Sequence, residues 1–170
     1  WKIIDSVIEN IETPSHSLKI NTLASPIVSL KNVQTKKTAE EIIRNRRSAQ
    51  NFSSNLSLIS LEAFLQTLEN TLATENSPFQ ALPYESEIHL AIFVHHVIDL
   101  EPGLYMWVRN PKHLSSLKNK MDFDFVWDQH SSGAPLYLLN KGNFRSTAQD
   151  ISCHQAIAAD SAFSLGMISR

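Results

Sequence analysis

The residues best suited to bind an anionic ligand lie together between positions 46 and 50. Arg46, Arg47 and Ser48 are consecutive, and Gln50 follows two residues later. Two guanidinium groups and a hydroxyl that project from one helix end can hold a phosphate and hydrogen-bond the polar edge of a ring. Arginines at a helix end also bind the last carbonyls and interact favourably with the helix dipole. Composition alone leaves these two interpretations evenly balanced.

The histidines and the single cysteine offer little support for a metal site. His95 and His96 are adjacent in a predicted strand, so their side chains point to opposite faces. His89 and His95 share a face but lie about 20 Å apart, at roughly 3.3 Å per residue. We therefore expect no metal, and we interpret these residues as strand histidines capped by solvent or carbonyl groups. Cys153 cannot form a disulfide within the chain, and we interpret it as a small core residue of a helix.

Two carboxylates could in principle perform acid–base chemistry. Asp122 and Asp124 would lie about 6 to 7 Å apart on one face of an extended segment, as paired carboxylates do in glycosidases. The alternation of Asp and Phe over residues 121–125 is more typical of a half-buried strand with a solvated face, which is the interpretation we adopt.

Composition and motifs exclude several classes of function. The 15 Lys and Arg residues nearly balance 17 Asp and Glu residues, and the basic cluster over 36–47 has no interleaved aromatics, so we expect no nucleic-acid partner. The four glycines form neither a GxGxxG nor a GxxxxGK[ST] motif. No apolar run approaches the roughly 18 residues that span a bilayer, so we expect no membrane contact and a cytoplasmic location.

The pattern of apolar residues predicts an α+β fold with helices packed on a sheet. Thr38 and Glu41 form a capping box for a helix over 39–47 that buries Ile42 and Ile43, and Ser60 caps a second helix through 73. Residues 87–97 alternate as a strand, and a turn at 101–103, with Gly103 at positive φ, leads to a strand over 104–108. Further predicted elements are a short helix over 111–121, a strand over 136–139, a helix over 147–158 and a central strand over 162–168.

The same pattern divides the chain into two parts. Residues 1–37 are predicted to be a linker or extended arm that lies on a neighbouring surface, because its scattered apolar residues need cover. Residues 38–170 are predicted to be the N-terminal part of one domain, which is incomplete here because the chain stops after an expected core strand.

Three segments resemble the FMN-dependent nitroreductase superfamily. Residues 42–52 (IIRNRRSAQNF) are similar to its Arg-Arg-Ser-x-(Arg/Lys/Gln)-x-Phe segment, which ends the first helix. Residues 88–105 and 152–167 are similar to the SagB-type (azoline dehydrogenase-like) subgroup, through IHLAIFVHHV with LEPGLY and through SCHQAIAAD with AFSLGM. The resemblance covers about residues 38–169 in order.

The resemblance implies a nitroreductase-like fold, bound FMN and oxidoreductase activity. Arg46, Arg47 and Ser48 would contact the phosphate and ribityl chain, and Gln50 the ring edge. The substrate would be a small molecule or a peptide, for example an azoline-type heterocycle in a modified peptide. The flavin sites of this family form between two such domains, so a second nitroreductase-like domain or subunit, in a dimer or pseudo-dimer, is the implied partner. The sequence identifies no catalytic residue.

Two departures from the family pattern favour an alternative. Residues 77–84 (SPFQALPY) replace the usual Ser-Ala-Gly loop, and Gln50 stands where many members have a cation. Both features resemble the second half of tandem SagB-type proteins. The alternative is therefore a degenerate half without flavin, which serves as the structural partner of an active nitroreductase-like domain.

Overall fold

The computed structural model describes residues 36–52, 58–73 and 85–169. The predicted arm over 1–37 lies outside these residues except for its last two positions. The elements, in chain order, are helix α1 (Ala39–Asn45), strand β1 (Ile59–Ser60), helix α2 (Leu61–Glu69), strand β2 (Ile88–Val94), strand β3 (Val97–Ile98), strand β4 (Gly103–Trp107), a 3-10 helix (Pro111–His113), helix α3 (Leu114–Lys120), strand β5 (Asp128–Gln129), strand β6 (Leu136–Lys141), helix α4 (Arg145–Ile151), helix α5 (Ala156–Asp160) and strand β7 (Phe163–Ser169).

Five strands form one antiparallel sheet in the order β5-β6-β4-β2-β7. The hairpin of β2 and β4 occupies the interior, with Ile92 opposite Tyr105. The short strands β1 and β3 pair in parallel beside this sheet. The predicted α+β class is therefore confirmed, as is the hairpin formed by the alternating segment and the strand after its turn.

Helix α2 covers one face of the sheet because its apolar residues recur at helical spacing. The Ser60 hydroxyl accepts a hydrogen bond from the Ala63 amide at 3.2 Å, which confirms the predicted N-cap. Phe64 and Leu68 are fully buried. They belong to a core that includes, from the sheet, Leu90, Ile92, Val94, Tyr105, Trp107, Leu136 and Leu138. Alternate residues of the same strands point to the opposite face.

The opposite face is covered by α3 and by the pair α4 and α5. Met106, Val108, Tyr137 and Leu139 pack with residues of α3 and the chain that follows it, including Leu114, Leu117 and Met121. Near the other end of β2, Phe93 packs against Ala148 of α4 and Ala158 of α5. Both faces of the central strands are therefore buried between helices.

The predicted turn glycine has a different role from the one expected. Gly103 does not have positive φ; the residue with left-handed backbone before β4 is Asp99, at φ 61°. A Cβ at Gly103 would lie 2.6 Å from the Asn140 carbonyl oxygen. Gly103 is required because β6 approaches β4 closely at that point, beside the register shift between Leu104 and Tyr105.

The helix predicted over 147–158 is interrupted. Helix α4 ends at Ile151 and α5 begins at Ala156, and between them Cys153 and His154 both have left-handed backbone, at φ 56° and 58°. Cys153 is exposed, so its predicted role as a helical core residue is wrong. The break allows Ala148 and Ala158 to pack against the same phenylalanine of β2.

Strand β7 lies at the edge of the sheet. It was predicted to be central because residues 162–168 form an apolar run, but among the described residues it pairs only with β2. Leu165 and Met167 are 49% and 78% exposed. No helix in the described part of the chain is both long and apolar enough to cross a membrane.

Candidate functional site

The predicted anion-binding segment follows a short, well-capped helix. The Thr38 hydroxyl accepts from the Glu41 amide at 3.2 Å, and the Thr38 amide donates to the Glu41 carboxylate at 2.8 Å. This capping box was predicted from the sequence, and the hydrogen bonds from Thr38 lower the pKa of Glu41. Helix α1 ends at Asn45 rather than at Arg47, because Arg46 adopts an extended backbone with ψ 134°.

The four predicted ligand-binding residues all lie at the surface. Arg46, Arg47, Ser48 and Gln50 are exposed and follow the helix without regular secondary structure. One terminal nitrogen of Arg47 (Nη1) donates to the carbonyl oxygens of Arg44 and Arg46, at 2.9 Å each. This contact is the helix-end interaction that was the alternative to ligand binding. These bonds use Nη1, which carries two of the five N–H donors of the guanidinium, and they leave the donors on Nε and Nη2 for a ligand.

The apolar residues of α1 are not buried. Ile42 and Ile43, which were predicted to be core residues, are 45% and 74% exposed, and Phe52 is 40% exposed. Helix α1 has no buried residue at all. Periodicity correctly located the helix, but it could not show whether a covering surface is present. The segment therefore combines an anion-binding donor set with an uncovered apolar surface.

The donor set fits part of an FMN molecule. Guanidinium forks and a hydroxyl suit a phosphate and a ribityl chain, and the Gln50 carboxamide can both donate to and accept from the polar edge of the flavin ring. The ring itself is flat and largely apolar, and cofactor sites surround such groups with apolar walls. Residues 46–50 provide no such wall, so the ring would need a second surface.

A second group of polar residues is buried, and it joins β2 to the 3-10 helix. His89 is fully buried, and its Nε2 lies 3.1 Å from Nδ1 of His113. The Arg109 amide donates to Nδ1 of His89 at 3.1 Å, so the proton of the neutral His89 ring is on Nε2 and is donated to His113. Nε2 of His113 then faces Glu87, 3.9 Å away. The backbone donor thus fixes the tautomer of His89, while the side-chain nitrogen of Asn110 also lies 3.4 Å from Nε2 of His113.

Burial keeps His89 neutral. Desolvation, with smaller contributions from the nearby His113 and Arg109, lowers the pKa of His89 to about 4. At neutral pH the ring therefore acts as a hydrogen-bonding link between two parts of the fold. The sequence does not indicate this pair, because the two residues are 24 positions apart and the fold brings His113 close to His89 only in three dimensions.

A cavity of about 160 Å³ lies beside His113, between α3 and the end of β7. Its lining residues are His113, Ser116, Leu117, Lys120, Met121, Ile168 and Ser169. Most of its surface is apolar. Its lining residues begin 63 positions after Gln50, and they form no catalytic constellation.

The remaining chemical candidates from the sequence have structural roles. His95 and His96 lie in a bend after β2 ends at Val94, so their predicted place in the strand is wrong. Nε2 of His95 bonds to the Ala158 carbonyl oxygen at 3.0 Å, which confirms the expected carbonyl cap. Asp122 and Asp124 are in a turn, where the Asp122 carboxylate accepts from the Asp124 amide at 3.1 Å. Phe123 between them is 92% exposed, so the predicted half-buried strand is wrong. Within residues 36–52, 58–73 and 85–169, no three His, Cys, Asp or Glu side chains are grouped to hold a metal ion.

The fold and its polar residues define an α+β domain with an antiparallel sheet and an exposed arginine segment. Comparisons with protein-family models, with curated proteins and with solved structures found no match to this chain.

Proposed function

We propose that the chain is a flavin-binding domain of an FMN-dependent oxidoreductase of the nitroreductase superfamily. The observation that carries the proposal is the exposed Arg46–Gln50 segment, in which two guanidinium groups, a hydroxyl and a carboxamide occur within five residues after a capped helix. Arg46, Arg47 and Ser48 hold the phosphate and ribityl chain, and Gln50 contacts the ring edge. When bound, the flavin supplies hydride transfer, and this segment supplies position and electrostatic complementarity.

The site is completed by a second nitroreductase-like domain or subunit. The uncovered side chains of Ile42, Ile43 and Phe52 adjoin the arginine segment, and residues 46–50 present no apolar wall for a flavin ring. A partner that covers this surface would both bury the isoleucines and enclose the ring. The resemblance to SagB-type proteins suggests an azoline-type heterocycle in a peptide as the substrate.

The rival function is that of a structural partner without flavin. The observation that favours it is the pair of hydrogen bonds from Arg47 to the carbonyls of Arg44 and Arg46. If these bonds are the whole role of Arg47, its removal affects only the helix end. The two functions therefore differ in what an arginine substitution changes.

Titration of FMN into the protein with its partner domain separates the two functions. Each charge-assisted contact to phosphate is worth roughly 1.5 to 3 kcal/mol. Arg46→Ala and Arg47→Ala are therefore each expected to weaken FMN affinity by about tenfold to a hundredfold. Arg47→Lys should recover only part of the loss, since an ammonium retains the charge but not the bidentate geometry.

Arg44→Ala is the matched control. Arg44 lies in the last turn of helix α1, is also exposed and pairs with Glu40 at 2.9 Å, so its removal changes the net charge by the same amount without altering the proposed site. Its FMN affinity should remain at the wild-type value. Wild-type affinity in both Arg46→Ala and Arg47→Ala, together with a small loss of thermal stability, would support the structural-partner function instead.

A further inference from the structure

The cavity beside His113 has an apolar stripe and a polar stripe on the wall formed by α3. Residues four positions apart lie on the same side of a helix. Leu117 and Met121 therefore form the apolar stripe, and Ser116 and Lys120 form the polar one. The helix thus offers aliphatic side chains, a hydroxyl and an ammonium group to one space.

The wall formed by the sheet is also aliphatic beside a hydroxyl. Ile168 of β7 pairs with His89 of β2 and packs in the same cluster as Leu117 and Met121. Ser169 follows it at the end of the strand. Aliphatic groups therefore bound the interior of the cavity, and a hydroxyl is available on each wall.

The size of the cavity limits what it can hold. Its volume is about 160 Å³. An apolar cavity of about 150 Å³ accommodates a molecule the size of benzene. Protein interiors contain few empty spaces of this size, because the side chains around a void lose their contacts. The cavity is therefore suited to an apolar group of about five or six carbon atoms, and it is too small for the fused rings of a flavin.

The charge at the rim favours an anionic ligand. Lys120 is exposed and makes no salt bridge within the described part of the chain. Lys118, in the same helical turn, instead lies over the rings of Trp127 and Tyr137, with its Nζ 5.9 and 5.7 Å from their centroids. Among the described residues, no carboxylate lines the cavity. An ammonium group beside a hydroxyl can bind a carboxylate through charge-assisted hydrogen bonds.

We propose that this cavity binds a short-chain aliphatic monocarboxylic acid of about six carbon atoms. The carboxylate pairs with the Lys120 ammonium and accepts a hydrogen bond from the Ser116 hydroxyl. The alkyl chain lies against the three aliphatic side chains of the interior. This site uses no residue of the Arg46–Gln50 segment, so loss of FMN binding would leave the acid site intact, and the reverse also holds.

Ligands of one length and different charge test the role of the ammonium group. Hexanoate is expected to bind the full chain with a Kd on the order of 1 mM in calorimetry. Hexanamide should bind about fivefold more weakly, and hexylamine should not bind detectably. Butanoate, which lacks two methylene groups, should bind about tenfold more weakly than hexanoate. Equal affinities for hexanoate and hexanamide would overturn the proposal.

Two methionines report where the acid binds. Met121 lines the cavity, whereas Met167 does not line it and is 78% exposed on β7. Hexanoate should shift the methyl NMR signal of Met121 in methionine-labelled protein and leave that of Met167 unchanged. An unchanged Met121 signal would show that the cavity does not take up the acid. Equal shifts of both signals would show non-specific association with apolar groups, and either result would refute the site.

Lys120→Gln and Lys118→Gln form a matched pair of variants. Each removes one positive charge from the last turn of α3, so both weaken the same interaction with the helix dipole. Lys120→Gln should lower the affinity for hexanoate about fivefold and leave that for hexanamide unchanged, whereas Lys118→Gln should change neither. Equal losses of hexanoate affinity in the two variants would mean that the acid responds only to overall charge, and would overturn the proposed contact.

Ser116→Phe tests whether the cavity itself is the site. The added ring should occupy the space between α3 and β7 and abolish hexanoate binding, while circular dichroism checks that the variant is folded. Wild-type affinity for hexanoate in the folded variant would refute the location. The Met121 signal and the two lysine variants decide the question even if the ring disrupts the fold.

Discussion

The buried histidine pair should make the stability of this domain fall steeply in mild acid. His89 has no exposed surface, and its two ring nitrogens bond to the Arg109 amide and to His113 at 3.1 Å. A proton added to Nδ1 would remove the first of these bonds and place a charge in the core. Desolvation accordingly lowers the pKa of His89 from its ordinary 6.5 to about 4.

The sign of the effect follows from the number of protons bound in each state. Between pH 6.5 and pH 4 the unfolded chain is protonated at His89 and the folded chain is not, so stability decreases as the pH falls. The free energy of unfolding should drop by about 2 kcal/mol between pH 8 and pH 5, and by at most about 3 kcal/mol below pH 4. Above pH 6.5 this contribution does not change with pH.

His89→Gln tests the reasoning, because glutamine is neutral at every pH used. The variant is expected to be less stable than the wild type at pH 7.5, since the two histidine hydrogen bonds are replaced imperfectly. That difference should shrink by about 2 kcal/mol at pH 5 in urea denaturation measured by circular dichroism. Measurement at pH 7.5 is the internal control for packing lost through the substitution.

A constant difference between the two proteins from pH 7.5 to pH 5 would refute the argument. The same conclusion would follow if NMR titration of the folded wild type showed the His89 ring becoming protonated near pH 6.5. Either result would mean that the pair is hydrated or charged in the native state.

Three further outcomes are expected. Gly103→Ala should destabilise the domain by about 1 to 3 kcal/mol in chemical denaturation, because its Cβ would lie 2.6 Å from the Asn140 carbonyl oxygen, whereas Gly166→Ala should be nearly neutral. Arg145→Ala should lower the free energy of unfolding by about 1 to 2 kcal/mol, because Arg145 donates to the Ala159 carbonyl oxygen and to Asp160, each at 2.7 Å. Asp160→Asn retains the bond from Arg145 to the Ala159 carbonyl and should lower the free energy of unfolding by less. Residues 14–37 should show slowed amide exchange if they lie on a neighbouring surface, and fast exchange throughout would contradict the predicted arm.

Local sequence signals predicted the starts of elements well. The capping box of Thr38 and Glu41 and the N-cap of Ser60 are both present, because each needs only side chains and amides within three residues of one another. The alternation in residues 88–94 also identified β2 correctly. Its pairing with the strand after the turn followed from the short connection between them.

Burial was predicted less well, because it depends on surfaces that are distant in sequence. Ile42 and Ile43 have the periodicity of a buried helix face but are exposed, and the apolar segment of β7 forms an edge instead of a central strand. Periodicity states which residues would share a face. It cannot state whether another element covers that face.

The two polar sites also differ in whether their residues are close along the chain or only in three dimensions. The Arg46–Gln50 segment was recognisable in the sequence because its donors are neighbours along the chain. The His89–His113 pair was not, because 24 positions separate the two rings and only the hairpin and the turn into the 3-10 helix place them 3.1 Å apart. The sequence by itself determined which groups are available and where helices and strands begin. The tertiary structure alone decided which of those groups lose their water and meet, since burial and long-range contact depend on how the sheet and its helices pack together.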